Sequence, residues 1–320
     1  MKAEINRYLK KIIVFLAASV AVFLLFTLLM STGAINAYYQ RILMMICINI
    51  ILALSANLII NFTGQLTLGH SAFMAIGAYA AAAFNRAGVP FFPALILGSI
   101  VAALFGFLIG LPTLRLKGDY LAITTLGFCQ IIMVLIQNIP QFGGAQGMTG
   151  IPGETTFAWV FFSMVFTIIV LRHVVKSRQG RAMISVREDE IAAEAMGINT
   201  TRYKVMAFTI GAFFAGLAGG LYAFLMMFIE PTQFNYFKSI DLVIYVVLGG
   251  TGGFAGCIAS TSILTLLPEV LRFLGNYRMV VYPLLLIVIM ILRVKNIRVS
   301  RLVEFIRKSG SKEGDTHAAA

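Results

Sequence analysis

The segment RHVVKSRQGRAMISVREDEIAAEAMGINTTRYK (residues 172–204) is the longest polar stretch of a 320-residue chain that otherwise consists mainly of apolar runs. Of all residues, 59% are hydrophobic and 12% are charged, and the mean hydropathy is +0.90. A water-soluble fold of this composition would expose more apolar surface than its polar side chains could cover. We therefore expect an all-α, polytopic membrane protein in which this segment, the polar loop, separates two transmembrane halves, residues 12–171 and 205–292.

The apolar runs give the number of spans, because a helix needs about 20 apolar residues to cross the hydrocarbon core. On this measure the chain holds ten candidate spans, of which the third and the eighth are too short to cross alone. The ten lie at about residues 12–30, 41–60, 71–84, 91–111, 121–139, 157–171, 205–229, 240–249, 255–274 and 279–292. The two short spans are five apart, as an inverted repeat of two five-helix halves would place them.

The basic residues predict which side of the membrane each loop faces. With a cytoplasmic N-terminus, 20 of the 25 Lys and Arg residues lie inside, on the N-tail (1–11), the loop after the fourth span, the polar loop and the C-tail (293–320). The other five fall on outside loops: Arg41, Arg86, Lys238, Arg272 and Arg278. This bias predicts that both termini are cytoplasmic. Nucleic-acid binding is not expected, because the positive charges are spread along the chain rather than clustered.

Two glycine-rich segments border the short spans. NFTGQLTLGH (residues 61–70) precedes the third span, and GGTGGFAG (residues 249–256) follows the eighth. Irregular backbone at membrane depth is stable only where protein or a water-filled cavity satisfies its polar groups, so both segments are candidates for a transport pathway. The pathway candidates are Gly64, Gln65, Thr67, Gly69, His70, Gly249, Gly250, Thr251 and Gly252. Close helix packing is the alternative for each glycine, and a structural hydrogen bond is the alternative for His70.

The polar loop carries the signals of a short helix that docks on another protein. Ser185 and Glu188 form an S-x-x-E capping box, and Gly197 suits the left-handed position that ends a helix. Asn199 or Thr200 is expected to cap the next membrane helix. A connector lying on the lipid surface is the alternative, but an acidic helix gains nothing from anionic lipid. The residues that we expect to contact a partner are Ser185, Glu188, Glu190, Ala192, Ala193, Glu194 and Gly197.

The sequence offers no sign of catalysis. The pattern G-x-x-x-x-G-K-S/T of a phosphate-binding loop does not occur, so we do not expect this chain to be an ATPase. Cys47, Cys129 and Cys257 lie inside apolar runs, and no pair of histidines has the spacing of a metal site or a catalytic triad. We therefore expect neither an enzyme nor a cofactor bound by this chain.

Five segments together carry a resemblance that covers most of the chain. They are NFTGQLTLGHSAFMAIGAY (61–79), LRLKGDYLAITTLGF (114–128), GGAQGMTGIPG (143–153), VREDEIAAEAMGINTTRYKVMAF (186–208) and VVLGGTGGFAG (246–256). The fourth contains EIAAEAMG (190–197), which looks like the EAA coupling segment of bacterial ABC importer permeases. The set resembles the LivM-type permeases of branched-chain amino-acid importers. The basic stretch after the last span departs from the pattern of this family, in which the chain more often ends soon after an Arg-Pro turn.

The resemblance implies a non-catalytic subunit in the bacterial inner membrane. Its partners would be a LivH-type permease, two cytoplasmic ATPase subunits that bind ATP and Mg²⁺, and a periplasmic protein that delivers leucine, isoleucine or valine. Import of urea or short amides is an alternative within the same class. A secondary transporter driven by Na⁺ or H⁺ is an alternative from another class, but we find no convincing carboxylate in the middle of a span. A membrane-bound scaffold is a third alternative, which the two interrupted helices argue against.

Overall fold

The computed structural model describes residues 17, 19–30, 36–113, 116, 118–250 and 253–294. Over these residues the chain is helical and contains no β-strand, and an isolated bridge pairs Met148 with Ile229. Residues 1–16, the chain after Val294, and the pathway candidates Thr251 and Gly252 lie outside the described residues. The described chain belongs to two units, one ending at Leu266 and one beginning at Leu267.

Twelve α-helices occur in the described residues. They are α1 Ser19–Met30, α2 Ala37–Asn57, α3 His70–Arg86, α4 Phe91–Thr113, α5 Asp119–Asn138, α6 Phe157–Lys176, α7 Arg178–Glu188, α8 Glu190–Ala195, α9 Thr200–Met226, α10 Tyr236–Gly249, α11 Phe254–Val270 and α12 Arg278–Val294. A π-helical turn, Leu58–Phe62, extends α2 without a break.

Each of the ten predicted spans lies largely within a helix in the described residues, which confirms the all-helical prediction, although residues 227–229 at the end of the seventh span are not helical. By length and composition, six helical stretches are able to cross a membrane, namely Ala37–Phe62, Phe91–Pro112, Asp119–Gln137, Phe157–Lys176, Thr200–Met226 and Phe254–Phe273. The third and eighth spans form α3 and α10, which have only 17 and 14 residues. A crossing by all ten segments, and a cytoplasmic position of both termini, stay predictions.

Helices α3, α4 and α9 form the core of the first unit. They approach closely because small residues face each other. A methyl group on Gly77 of α3 would overlap the backbone of Gly216 of α9, and one on Gly106 of α4 would overlap the side chain of Ala212. The run Gly211 to Ala223 lies in α9 and is largely buried. Small residues therefore hold these three helices together, as in other membrane bundles.

Replacing Gly216 by leucine is expected to destabilise this core by about 1–3 kcal/mol, because overpacking forces helices apart. Gly127→Leu in α5 is the matched control, because a Cβ atom added there would meet no atom of another described element within 4 Å. The loss of helical circular dichroism on heating of the detergent-solubilised protein measures the difference. Equal midpoints for the two variants would contradict the packing described here.

Lys238 lies in the first turn of α10 rather than in a loop, so the predicted start of the eighth span at residue 240 is wrong, while the side of the membrane that Lys238 faces stays a prediction. The apolar run begins at residue 240, but Asn235 starts the helix earlier by accepting a hydrogen bond from the backbone N–H of Lys238 at 3.3 Å. Asparagine is a strong helix N-cap. The cap therefore places a lysine in the first turn of α10.

The second unit contains the end of α11, a 3₁₀ segment Leu271–Tyr277 and α12. Glu269 and Arg272 form an ion pair at 3.4 Å. Side chains three residues apart on a helix are neighbours, which is why these two can pair.

Candidate functional site

The polar loop contains two helices, α7 and α8, where the sequence predicts one. The break is at Asp189, whose backbone is extended (φ −155°, ψ 112°) and whose carboxylate accepts hydrogen bonds from the N–H groups of Ile191 and Ala192 at 2.9 and 3.0 Å. The predicted capping box is therefore wrong. Ser185 lies inside α7 and donates to the carbonyl of Ala182, because Ser177 already caps α7 two turns earlier.

The end of α8 is as predicted. Gly197 has φ +80°, its N–H donates to the carbonyl of Glu194 at 2.9 Å, and the N–H of Ile198 donates to the carbonyl of Ala193 at 3.0 Å. These two bonds form a Schellman motif, which needs the left-handed conformation that glycine adopts without strain. Asn199 then caps α9 by accepting from the N–H of Arg202.

One side of α8 is fixed to the membrane domain. Lys204 of α9 forms an ion pair with Glu190 at 2.6 Å, and the hydroxyl of Thr200 donates to Glu194 at 2.7 Å. Ala193 lies between these contacts and is buried. The acidic residues of α8 therefore hold the helix in place, a role that the sequence does not reveal.

The other side of α8 is apolar and exposed. The exposed fractions are 76% for Ile191 and 82% for Met196, and Ala192 and Ala195 are exposed beside them. Large apolar side chains grouped on an exposed surface are typical of a contact with another protein or with the membrane. Glu188 is also exposed and pairs with the neighbouring Arg187.

The first glycine-rich segment follows the π-helical turn, and other elements satisfy its backbone. The hydroxyl of Thr125 in α5 accepts from the N–H of Leu68 at 3.0 Å, and the hydroxyl of Thr67 accepts from the N–H of Gly69 at 3.3 Å. Gly64 has φ +70°. The described chain therefore satisfies part of the backbone of this break, although Gly64 and Leu66 are exposed.

Two side chains of this segment have polar atoms without partners among the described residues. His70 begins α3 and its Nε2 lies 2.7 Å from the Ser55 hydroxyl, while its Nδ1 has no hydrogen-bond partner. Gln65 is 4% exposed, and neither its Oε1 nor its Nε2 is hydrogen bonded. Gln65 lines a cavity of about 200 Å³ that separates this segment from the polar loop, with Arg187 and Lys204 on the opposite wall. Such a cavity has room for water to complete the bonds.

The second glycine-rich segment packs tightly where the structure describes it. A methyl group on Gly256 would overlap the carbonyl of Gly249, and Gly250 ends α10 with φ +92°. These contacts match the packing alternative.

Asn61 brings the polar loop and both glycine-rich segments together. The guanidinium of Arg187 in α7 donates to the carbonyl of Asn61 at 2.7 Å, and the side-chain amide of Asn61 donates to the carbonyl of Gly250 at 3.1 Å. The rings of Phe62 and Phe254 stack beside this bond with centroids 5.4 Å apart. Sequence reasoning missed Asn61 and Arg187, although both lie inside segments that it singled out.

The short helices α3 and α10 meet at their N-terminal ends. The hydroxyl of Ser239 donates to that of Ser71 at 2.8 Å and accepts from the N–H of Ser71 at 2.9 Å, while the Ser71 hydroxyl donates to the carbonyl of Asn235. Both serines are buried. Among the described residues, no group of three or more His, Cys, Asp or Glu side chains is placed to hold a metal ion.

Long apolar helices, enclosed polar breaks and a polar loop with an exposed apolar face define a class, the multi-pass membrane permeases. The family described as "Branched-chain amino acid transport system / permease component" matches residues 38–292, and the chain belongs to this family. It is therefore a permease subunit of a branched-chain amino-acid ABC importer and a multi-pass protein of the inner membrane.

Three relatives illustrate the similarity. The high-affinity branched-chain amino acid transport system permease protein LivM of Salmonella typhimurium is 34% identical over 94% of this chain and 78% of its own length. The LivM protein of Escherichia coli is 34% identical over 84% of this chain and 72% of its own length. The LivH protein of Salmonella typhimurium is 33% identical over 33% of this chain and 34% of its own length. No solved structure matches the chain.

Proposed function

We propose that this chain pairs with a LivH-type permease to move leucine, isoleucine or valine from a periplasmic binding protein into the cytoplasm. Two ATPase subunits on the cytoplasmic side would bind ATP and Mg²⁺ and supply the energy. Ten helices would cross the membrane in two inverted halves, with both termini inside. The observation that carries the proposal is the apolar face of α8. This face is exposed, whereas the opposite side of the helix is bonded to α9.

In this proposal α8 is the docking element for an ATPase. Its exposed face presents two large apolar side chains, Ile191 and Met196, with the alanines Ala192 and Ala195 between them. Small residues let a partner surface approach the helix backbone, and large apolar ones fill its pockets. Glu190 and Glu194 contribute by holding α8 against α9, and Gly197 by ending the helix.

Hydrogen bonds between the polar loop and the two glycine-rich segments offer a route for movement from the ATPase to the membrane domain. A shift of α7 and α8 would reach the end of α2 through the hydrogen bond of Arg187 to Asn61, and Gly250 through the Asn61 side chain. The π-helical turn at the end of α2 supports this role, because π turns occur frequently at functional sites. Gly64, Gln65, Thr67, Gly69, His70, Gly249 and Gly250, with Thr251 and Gly252, stay our candidates for the pathway.

The pairing of Ser71 with Ser239 supports the inverted repeat. The third and eighth spans are five apart in sequence, and their helices meet N-terminus to N-terminus. In inverted-repeat transporters the interrupted helices of the two halves meet near the middle of the membrane. The counterpart of residues 61–69 is then the segment 229–235 before α10, rather than the second glycine-rich segment.

Reconstitution tests the function. The chain is purified with its LivH-type partner and two ATPase subunits, placed in proteoliposomes, and supplied with the leucine-loaded binding protein outside and ATP inside. We expect accumulation of radiolabelled leucine that stops when ATP is replaced by a non-hydrolysable analogue. Uptake that continues unchanged with the analogue would contradict the proposal.

A further inference from the structure

Lys238 places a positive charge deep in the membrane domain. Its ammonium group donates to Oδ1 of Asn49 at 3.1 Å, and Asn49 donates in turn to the hydroxyl of Thr265 at 3.2 Å. Asn49 is the thirteenth of the 26 residues of the Ala37–Phe62 stretch, so it lies about 19 Å from either end. The ammonium therefore lies near the middle of the bilayer.

Three conditions make a lone cation unfavourable at this position. A charge at the bilayer centre is costly. A cation in the first turn of α10 also meets the positive end of the helix dipole. In the described part of the chain, no carboxylate forms an ion pair with Lys238, whose hydrogen bond goes to the neutral amide of Asn49. The position therefore favours a negative charge close to the ammonium.

Asp241 supplies the opposite charge one helical turn away. It interacts electrostatically with Lys238, and both side chains are partly exposed. Phe237 and Ile244 lie on either side of Asp241 along the same face of α10, and Phe237 is 58% exposed. Charged groups at this depth do not face lipid, so this face of α10 is turned to a water-filled pathway or a partner subunit.

We propose that Lys238 and Asp241 receive the zwitterionic head of the transported amino acid as it passes through the membrane. The ammonium of Lys238 would bind the substrate carboxylate, and the carboxylate of Asp241 would bind the substrate ammonium. Phe237 and Ile244 give the aliphatic side chain an apolar surface. A binding site with one charge of each sign and apolar flanks matches the chemistry of leucine, isoleucine and valine, and it rejects solutes that carry a single charge.

This inference rests on the proposed function, and transport by the complete importer in proteoliposomes tests it. Lys238→Met is expected to lower the maximal rate of leucine uptake by about 10-fold or more, the range for a lost charged hydrogen bond. The leucine concentration at half-maximal rate should stay unchanged, because the binding protein sets it. ATP hydrolysis stimulated by the binding protein should also stay within about twofold. Lys238→Arg should restore most of the transport, and Arg41→Met, which removes an exposed charge at the outer end of α2, should leave it unchanged.

A cysteine variant adds a chemical test. Lys238→Cys treated with 2-aminoethyl methanethiosulfonate carries a lysine-like ammonium and should regain uptake, whereas methyl methanethiosulfonate, which adds a neutral group, should not restore it. Protection of the cysteine by leucine during the catalytic cycle is expected as well. Equal effects of the two reagents would overturn the proposal.

The other outcomes are equally decisive. Normal uptake by Lys238→Met would overturn the substrate site. Loss of the LivH-type subunit from Lys238→Met and Asp241→Asn alike would assign the charges to a subunit contact and also overturn it. If Lys238→Met alone does not assemble, the isosteric Asp241→Asn decides, with at least about 10-fold slower uptake expected. Wild-type proteoliposomes that do not import leucine with ATP would instead contradict the function itself.

Discussion

Replacing Ile191 by aspartate is expected to release the ATPase subunits from the importer while the chain stays folded in the membrane. Ile191 is 76% exposed and makes none of the contacts that fix α8, which run through Glu190, Ala193 and Glu194. In the docked state its side chain would be buried in the ATPase, and aspartate would bring an unpaired charge into that contact. Central apolar residues of an interface contribute about 2 kcal/mol or more, which corresponds to about a 30-fold weaker association.

The measurement is copurification of the ATPase through a tag on the permease, together with the dissociation constant from titration in nanodiscs. Gln179→Asp is the matched control, because it adds the same charge at an exposed position of α7 that lies outside the docking face. It should bind the ATPase like wild type. If Ile191→Asp also retains full binding, α8 does not carry the docking surface.

Glu190 makes a less specific test of docking than Ile191. Its carboxylate pairs with Lys204, so reversing its charge would also detach α8 from α9. A lost complex would then have two explanations. The sequence alone places Glu190 among the expected docking residues, and only the packing shows that its side chain points inward.

Much of the fold follows from the sequence, because long apolar runs have one stable form in a bilayer. The helices α2, α4, α5 and α6 begin within a few residues of their predicted spans. The end of α8 is also local, because only glycine fits the conformation of Gly197 without strain. The residue that caps a helix is harder to predict where several nearby side chains could accept the hydrogen bonds of its first turn. Ser185 matches the motif, but Ser177 and Asp189 start the helices instead.

The site depends on contacts that the sequence does not show. Asn61 and Gly250 are 189 residues apart, as are Asn49 and Lys238. A positive-inside count treats Lys238 as one more outside charge. The count cannot show the depth of this residue, because the depth is set by the short helix α10 and by the packing of α10 against α2. Only the tertiary structure therefore shows that Lys238 is a candidate substrate contact.

Replacing Arg187 by methionine is expected to uncouple ATP hydrolysis from transport. The guanidinium makes a charge-assisted hydrogen bond to the carbonyl of Asn61, and its loss should weaken the link between α7 and the end of α2 by about 1.5–3 kcal/mol. Docking should persist, because Arg187 lies on α7, away from the exposed face of α8. We expect ATP hydrolysis near the wild-type rate, whereas the rate of leucine uptake should fall by about 10-fold or more.

Arg181→Met is the control, because Arg181 lies on the same helix and is exposed, and within the described residues its guanidinium bonds to the nearby carbonyl of Lys176. The ratio of leucine imported to ATP hydrolysed should fall for Arg187→Met and stay constant for Arg181→Met.

Asn61→Leu removes the next bond of the route, from the side-chain amide to Gly250. If both bonds serve one route, the double variant should be no worse than the more severe single variant, because residues in one network do not act additively. Additive losses would show that Arg187 and Asn61 act independently, and an unchanged ratio for Arg187→Met would show that movement of the polar loop enters the membrane domain elsewhere.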